Sequence, residues 1–106
     1  MGKAAVLKII GQFREALEKK GIKIERIVLF GSYASGKPHE ASDIDLVVIA
    51  DDFSGMGFWQ RIDLLSGAIY EVCKPIDAVA MTRSEWDKGE SFFVDLARNG
   101  EVVFAA

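Results

Sequence analysis

The period of the hydrophobic positions changes several times along the chain, and each change marks a predicted element. Val6, Ile9 or Ile10, Phe13 and Leu17 recur at helical spacing through about residue 20, where Gly21 follows the basic pair Lys19 and Lys20. This predicts an amphipathic helix with a C-terminal stop. "IKIERIVLF" is rich in β-branched residues and too short for a typical helix, so residues 24–30 read as a strand running into Gly31. "SYASG" is long enough for one helical turn. After the polar turn "GKPHEAS", "DIDLVVIA" predicts a second strand over 43–50, followed by a loop over 51–57 that contains Gly55 and Gly57.

Phe58, Ile62, Leu65, Ile69 and Cys73 then lie on one helical stripe that ends at Pro75, and "PIDAVAM" reads as a third strand. Thr82 with Glu85 has the pattern of a capping box, "SFFVDLARNG" predicts a helix stopped by Asn99 and Gly100, and "EVVF" is a short final strand. The order α-β-(short α)-β-α-β-α-β predicts an α/β (α+β) sheet of about four strands with helices packed on it. Strand order and directions stay open at this level. Trp59, Phe58, Trp86, Phe92 and Phe93 stand beside aliphatic residues at helical spacing and read as core, as does the small Cys73.

Length and charge narrow the function. A chain of 106 residues is expected to be one domain that buries roughly 65% of its unfolded surface. Its net charge of −3, with basic residues scattered, makes a nucleic-acid partner unlikely to be its target, because such affinity rests on clustered Lys and Arg. Cys73 is the only cysteine and His39, in a polar turn and expected to face solvent, is the only histidine. A Cys/His zinc site and an internal disulfide are thereby excluded, and any metal must sit on oxygen. The first twenty residues carry charges throughout and lack a long apolar run, so they read as neither signal peptide nor membrane span, and a cytoplasmic protein is expected.

The chemistry concentrates in "FGSYASGKPHEASDID", residues 30–45. Gly31 to Lys37 fits the first seven positions of a P-loop, but the eighth is Pro38 where the motif has Ser or Thr. Only Pro38 to Ser42 separate Lys37 from the next strand, too few for the helix a P-loop requires. In an extended strand Asp43 and Asp45 point the same way with α-carbons roughly 6.6 Å apart. Two carboxylates so placed repel each other unless a cation or strong donors sit between them, and the natural cation for oxygen ligands alone is Mg²⁺, shared with the phosphates of a substrate. A bare D-x-D by itself reads first as a turn end followed by a solvent-facing acid, and it is the upstream residues that change this. Upstream, Gly31 lets the backbone approach an anion closely, Ser32 adds a hydroxyl, and the helical turn after it aims amides at the same phosphate.

Taken together, Gly31-Ser32, ten residues, then Asp43-x-Asp45 continuing "LVV" resembles the signature of the polymerase-β-like nucleotidyltransferase superfamily, and above all its minimal nucleotidyltransferase branch. The resemblance covers nearly the whole chain and implies a single minimal nucleotidyltransferase domain over 1–106. Members of that branch are small domains, many being the antitoxin partner of a HEPN-domain toxin. The resemblance implies transfer of a nucleoside monophosphate, AMP from ATP, to a hydroxyl such as a tyrosine on a partner protein, with a HEPN-type protein as the expected partner. It also implies a third carboxylate on the neighbouring strand, for which Asp77 in "PIDAVAM" is the matching position; a structural turn acid near Pro75 is the alternative. Asp51 and Asp52 read as loop residues and Asp63 as helical.

On this reading Asp43, Asp45 and Asp77 are the catalytic and metal-binding set, Mg²⁺ is the cofactor, and Gly31, Ser32 and Lys37 bind the triphosphate. One departure stands out: many relatives carry Arg where this chain has Ser35, which leaves Lys37 as the nearby cation. So short a chain must find its acceptor on a partner or a second subunit, so a homo- or hetero-oligomer is implied. A non-catalytic module that neutralises its partner by contact is the alternative function.

Overall fold

In the computed structural model, which describes residues 1–38 and 42–106, the apolar runs of the middle strands are explained by burial on both faces. His39 lies outside the described residues. Helix α1 (Lys3–Lys19) leads to β1 (Arg26–Phe30), the helical turn α2 (Ser32–Ser35) and β2 (Ile44–Ile49). A 3₁₀ turn at Asp51–Phe53 precedes α3 (Phe58–Val72), β3 (Ile76–Met81), α4 (Arg83–Lys88), α5 (Phe92–Ala97) and β4 (Glu101–Ala105). The four strands form one mixed sheet in the order β3-β2-β1-β4. β1 runs antiparallel to both β2 and β4, whereas β2 and β3 are parallel and joined through α3.

One face of the sheet carries the larger core. Val6, Ile9, Ile10, Phe13, Ala16 and Leu17 of α1, with Leu65 and Ala68 of α3, pack on Ile27, Leu29, Ile44, Leu46 and Val48. The helical stripe read in α1 is thus the buried face. Phe13 has no exposed surface, so Phe13→Ala is expected to cost about 3–5 kcal/mol, through lost transfer energy plus the cavity left behind. A urea titration should show a lower midpoint with an unchanged slope.

The opposite face is only half covered. There Val28, Phe30, Val47, Ile49 and Met81 meet Val94 and Ala97 of α5, with Trp86 of α4 packed against them. α4 is started by the reciprocal pair expected from the sequence: the Glu85 amide donates to Thr82 Oγ1 (3.2 Å) and the Thr82 amide to Glu85 Oε1 (2.8 Å). Both helices on this side have six residues, so part of the sheet face beyond them stays open. Among the described residues no helix is long and apolar enough to cross a membrane.

Two expectations about the core are corrected. Phe58, Trp59 and Phe92 are 68%, 73% and 70% exposed, and Phe93 is exposed as well. Phe58 and Phe92 pack edge-on against Trp59 and Phe93, respectively, rather than into the interior. The reason is geometric: "FFVDLA" is apolar nearly all round, and a helix lying on one sheet can bury only one stripe. Cys73 is exposed too. It sits at the C-terminal cap of α3 with φ +59°, where the chain leaves the helical path and the stripe that led to it no longer faces the sheet.

Candidate functional site

The open part of the half-covered face holds the carboxylates. Side chains alternate along a strand, so Asp45 shares a face with Val47 and Ile49, and Asp77 shares one with Val79 and Met81. In the parallel register of β2 and β3, Asp45 lies directly beside Asp77. On the other side, Asp45 is paired with Phe30 of β1, and the next residue along β1 is Gly31. The sequence separation of 32 residues between the two acids is closed by the α3 crossover. Asp43 precedes β2 and is exposed.

Gly31 is required here twice over. Its backbone has φ 75° and ψ −154°, a conformation that residues with a Cβ rarely adopt. A Cβ at this position would stand 3.0 Å from Cγ and 3.3 Å from Cβ of Asp45, and would overlap Oδ2 of that carboxylate. The absent side chain is therefore what allows the Asp45 carboxylate to lie against the start of α2. The Ala34 and Ser35 amides bond back to the Gly31 carbonyl at 3.2 and 3.1 Å, which sets the turn. Ser32 is half-buried at its first position. Ser35 Oγ donates to the Ser32 carbonyl at 3.1 Å, so this hydroxyl tightens the same turn. Lys37 is exposed just beyond Gly36, whose left-handed conformation ends the turn. With β2 beginning at Ile44, no P-loop helix fits after Lys37.

The electrostatics follow from this packing. Partial burial pushes the Asp45 carboxyl above its ordinary value, and the neighbouring carboxylates of Asp77 and Asp43 push it further the same way. A cation would relieve all three effects at once. The donor set, carboxylate oxygen alone, fits a hard divalent ion. Among the described residues no three acidic, His or Cys side chains converge on one point. The chain therefore offers the side-by-side pair Asp45 and Asp77 with Asp43 nearby, the number of carboxylates that Mg²⁺ ordinarily takes beside waters and substrate phosphates.

Two cavities meet at Asp77. The first, about 320 Å³, lies over Phe30, Gly31, Asp45 and Asp77 and is bounded by Phe93 and Leu96 of α5. The second, about 630 Å³, runs from Asp77 along Ala78, Val79 and Ala80 toward α3, with Phe93 at its border. Phe93 and Leu96, which the sequence reading placed in the core or passed over, thus form a wall of the site.

Arg61 was also missed, and a single Arg one turn into a helix offers no signal from the sequence. It lines the second cavity, with its side chain only 17% exposed. Its Nε donates to the Met56 carbonyl at 3.1 Å, and its Nη1 donates to Glu85 Oε1 at 2.7 Å and to the Ala80 carbonyl at 3.4 Å. Burial raises the Glu85 carboxyl, but the hydrogen bonds and charge of Arg61, with the Thr82 amide and hydroxyl, outweigh it and leave it below its ordinary value. Glu85 thus contributes stability above its unfolded pKa, and that contribution is lost as pH falls through the lowered value. Arg61→Ala is expected to cost about 1–2 kcal/mol, at the low end for a charged hydrogen bond because Glu85 is half-exposed. Thermal melts against pH should also show a shallower loss of stability on the acid side in this variant.

Comparison with known proteins gives the chain a family and relatives. Residues 10–97 match the nucleotidyltransferase domain family. The chain is 32% identical over 100 residues to a protein of Methanocaldococcus jannaschii provisionally named protein adenylyltransferase MJ0604, covering 92% of this chain and 96% of the relative. The fold is similar to that of a provisionally named nucleotidyltransferase from Sulfolobus solfataricus, with a TM-score of 0.73 at 19% identity, over 96% of this chain and 82% of the other. It is similar as well to a chain in the complex of tri-AMPylated Shewanella oneidensis HEPN toxin with MNT antitoxin, with a TM-score of 0.56 at 22% identity, over 100% of this chain and 74% of the other.

Proposed function

Because the chain belongs to the nucleotidyltransferase domain family, and is accordingly a nucleotidyltransferase, we propose that it transfers AMP from ATP to a hydroxyl of a partner protein, with residues 1–106 acting as one minimal nucleotidyltransferase domain. The observation that carries the proposal is the registered pair Asp45 and Asp77, with the Gly31 backbone held against the Asp45 carboxylate. The name of the M. jannaschii relative supports a protein acceptor and AMP as the transferred group. The S. oneidensis complex supports a HEPN-type protein as partner and an antitoxin role for this chain.

In this reading Gly31 and Ser32 seat the β and γ phosphates at the start of α2, and the exposed Lys37 supplies the cation that Ser35 lacks. The side-by-side Asp45 and Asp77, with Asp43 nearby, would hold Mg²⁺, which when bound neutralises charge on the phosphates. The acceptor oxygen bonds to the α-phosphorus as the bond from that phosphorus to the β-phosphate oxygen breaks. Pyrophosphate leaves, and the hydroxyl proton passes to the Asp77 carboxylate. The protein acts by positioning and electrostatics, without a covalent intermediate.

Incubation of the chain with α-labelled ATP, Mg²⁺ and a cognate HEPN protein is expected to label that protein. Absence of transfer to a verified partner overturns the proposal. If Asp43→Ala/Asp45→Ala leaves neutralisation of the partner intact, contact alone accounts for that neutralisation.

A further inference from the structure

The larger cavity has a property that the transfer reaction leaves unused: its floor is the free edge of a β-strand. β3 pairs with β2 on one side only. The Ile44 amide donates to the Pro75 carbonyl at 2.8 Å and the Ala50 amide to the Met81 carbonyl at 2.9 Å. Odd-numbered residues of β3 therefore turn their backbone groups toward β2, and Ala78 and Ala80 turn theirs outward. Arg61 confirms the direction, since it reaches the Ala80 carbonyl from outside the sheet. Among the described residues nothing takes the outward N–H and C=O of Ala78 or the outward N–H of Ala80. These groups open into a cavity of about 630 Å³ walled by Phe58, Ile62, Leu65 and Ile69 on one side and Phe93 on the other.

We propose that this edge is a docking strand for an extended segment of the acceptor protein, apolar at alternate residues and flanked by Lys or Arg, which adds beside Asp77 to Ala80. The proposal rests on the reading of a protein acceptor given above. Its chemistry selects the occupant: outward N–H and C=O groups on alternate residues, roughly 6.6 Å apart, match a polypeptide in extended conformation. The side chains of such a strand would alternate between the apolar walls.

Charge selects further. The groove opens at Asp77 onto a cluster that includes Asp45 and Asp43, so its end is anionic and favours a basic flank over an acidic one.

The layout of the site gives the same direction. Across the sheet the order is Gly31, then Asp45, then Asp77, then the groove. In-line transfer puts the leaving pyrophosphate and the incoming oxygen on opposite sides of the α-phosphorus. With the leaving group seated at Gly31, the acceptor must enter past Asp77, along the β3 edge.

The test uses backbone hydrogen exchange, read by NMR on the full chain, with peptide in the absence of nucleotide and, in separate arms, with ATP alone and with neither. The probes are two synthetic nonapeptides of alternating valine and serine with a central tyrosine, one flanked by lysines and one by glutamates. The lysine peptide is expected to slow exchange at the Ala78 and Ala80 amides at least 10-fold, and the glutamate peptide to act only at far higher concentration. Ala78→Pro removes an outward N–H while sparing the β2 ladder and should abolish the protection read at the Ala80 amide; Ser66→Arg, at an exposed position lining the groove, should abolish it at both amides if the proline variant does not fold.

Equal protection by both peptides, or none at these amides, overturns the proposal. So does protection by ATP alone, which would make the groove a base pocket, or protection that rises with protein concentration without peptide, which would make it a contact between two copies. Because no transfer is measured, failure of the proposed activity leaves this result readable by itself.

Discussion

Asp45→Asn is expected to abolish transfer and, in metal-free protein near neutral pH, to raise the melting temperature. The loss of activity should be on the order of 10³-fold or more, as for removal of a central electrostatic group from an active site. The gain in stability comes from the same surroundings. Burial and the carboxylates of Asp77 and Asp43 raise the Asp45 pKa in the folded chain, so the folded state binds its proton more tightly than the unfolded state does. Stability is then greatest below the unfolded pKa, falls as pH rises through the window up to the raised value, and stays lower above it.

Asparagine carries no such penalty. Melts in chelator should show the variant ahead of the wild type at neutral pH, with the difference vanishing in acid where Asp45 is protonated in both states. Adding Mg²⁺ and ATP should stabilise the wild type and not the variant, since only a ligand bound to the folded state shifts the equilibrium. A variant that melts earlier than wild type at neutral pH in chelator would contradict the account. The site is thus a place where the fold bears a local cost for a ligand-ready arrangement.

Gly31→Ala is expected to destabilise the chain and to abolish transfer. Two separate effects combine. The backbone conformation at φ 75° and ψ −154° costs an L-residue about 1–3 kcal/mol. The added Cβ also drives into the Asp45 carboxylate, whose Cγ would be 3.0 Å away, so either that side chain or the start of α2 must move.

Stability should fall by about 2–4 kcal/mol and transfer should be lost with it. The two effects separate in a double-mutant cycle. Combined with Asp45→Ala, the clash with the carboxylate disappears while the conformational part and the 3.3 Å contact with the residue-45 Cβ remain, so Gly31→Ala should be less destabilising in that background than alone. Simple additivity in urea titrations would mean that the contact with Asp45 plays no part.

Much of this architecture was legible in the sequence because its strongest signals are local. The α1 stripe, the strand that delivers Gly31, the capping box of Thr82 and Glu85, and the spacing from Gly31-Ser32 to Asp43-x-Asp45 each depend on residues close together in the chain. Strand order and direction were not legible, since the burial of β1 and β2 on both faces erases the alternation that would tell one face from the other.

The placement of the aromatics was misread for a related reason. Phe58, Trp59, Phe92 and Phe93 sit on short or terminal stretches of helix where apolar residues exceed the surface available to cover them. Arg61 was invisible because its three partners, Met56, Ala80 and Glu85, come from separate elements. At Ser35 the sequence recorded only a missing cation; the hydroxyl closes the turn it belongs to.

The parallel pairing of β2 with β3 also governs when the chain becomes competent during its own synthesis and folding. A hairpin can form as soon as its two arms exist, but a parallel neighbour waits for a crossover, here the whole of α3. Gly31 and Asp45 can meet in a fragment that ends at Ile49; Asp77 cannot join them until the chain has passed Met81 and α3 has found its groove. A chain whose β3 has yet to dock therefore has Gly31 beside Asp45 without Asp77.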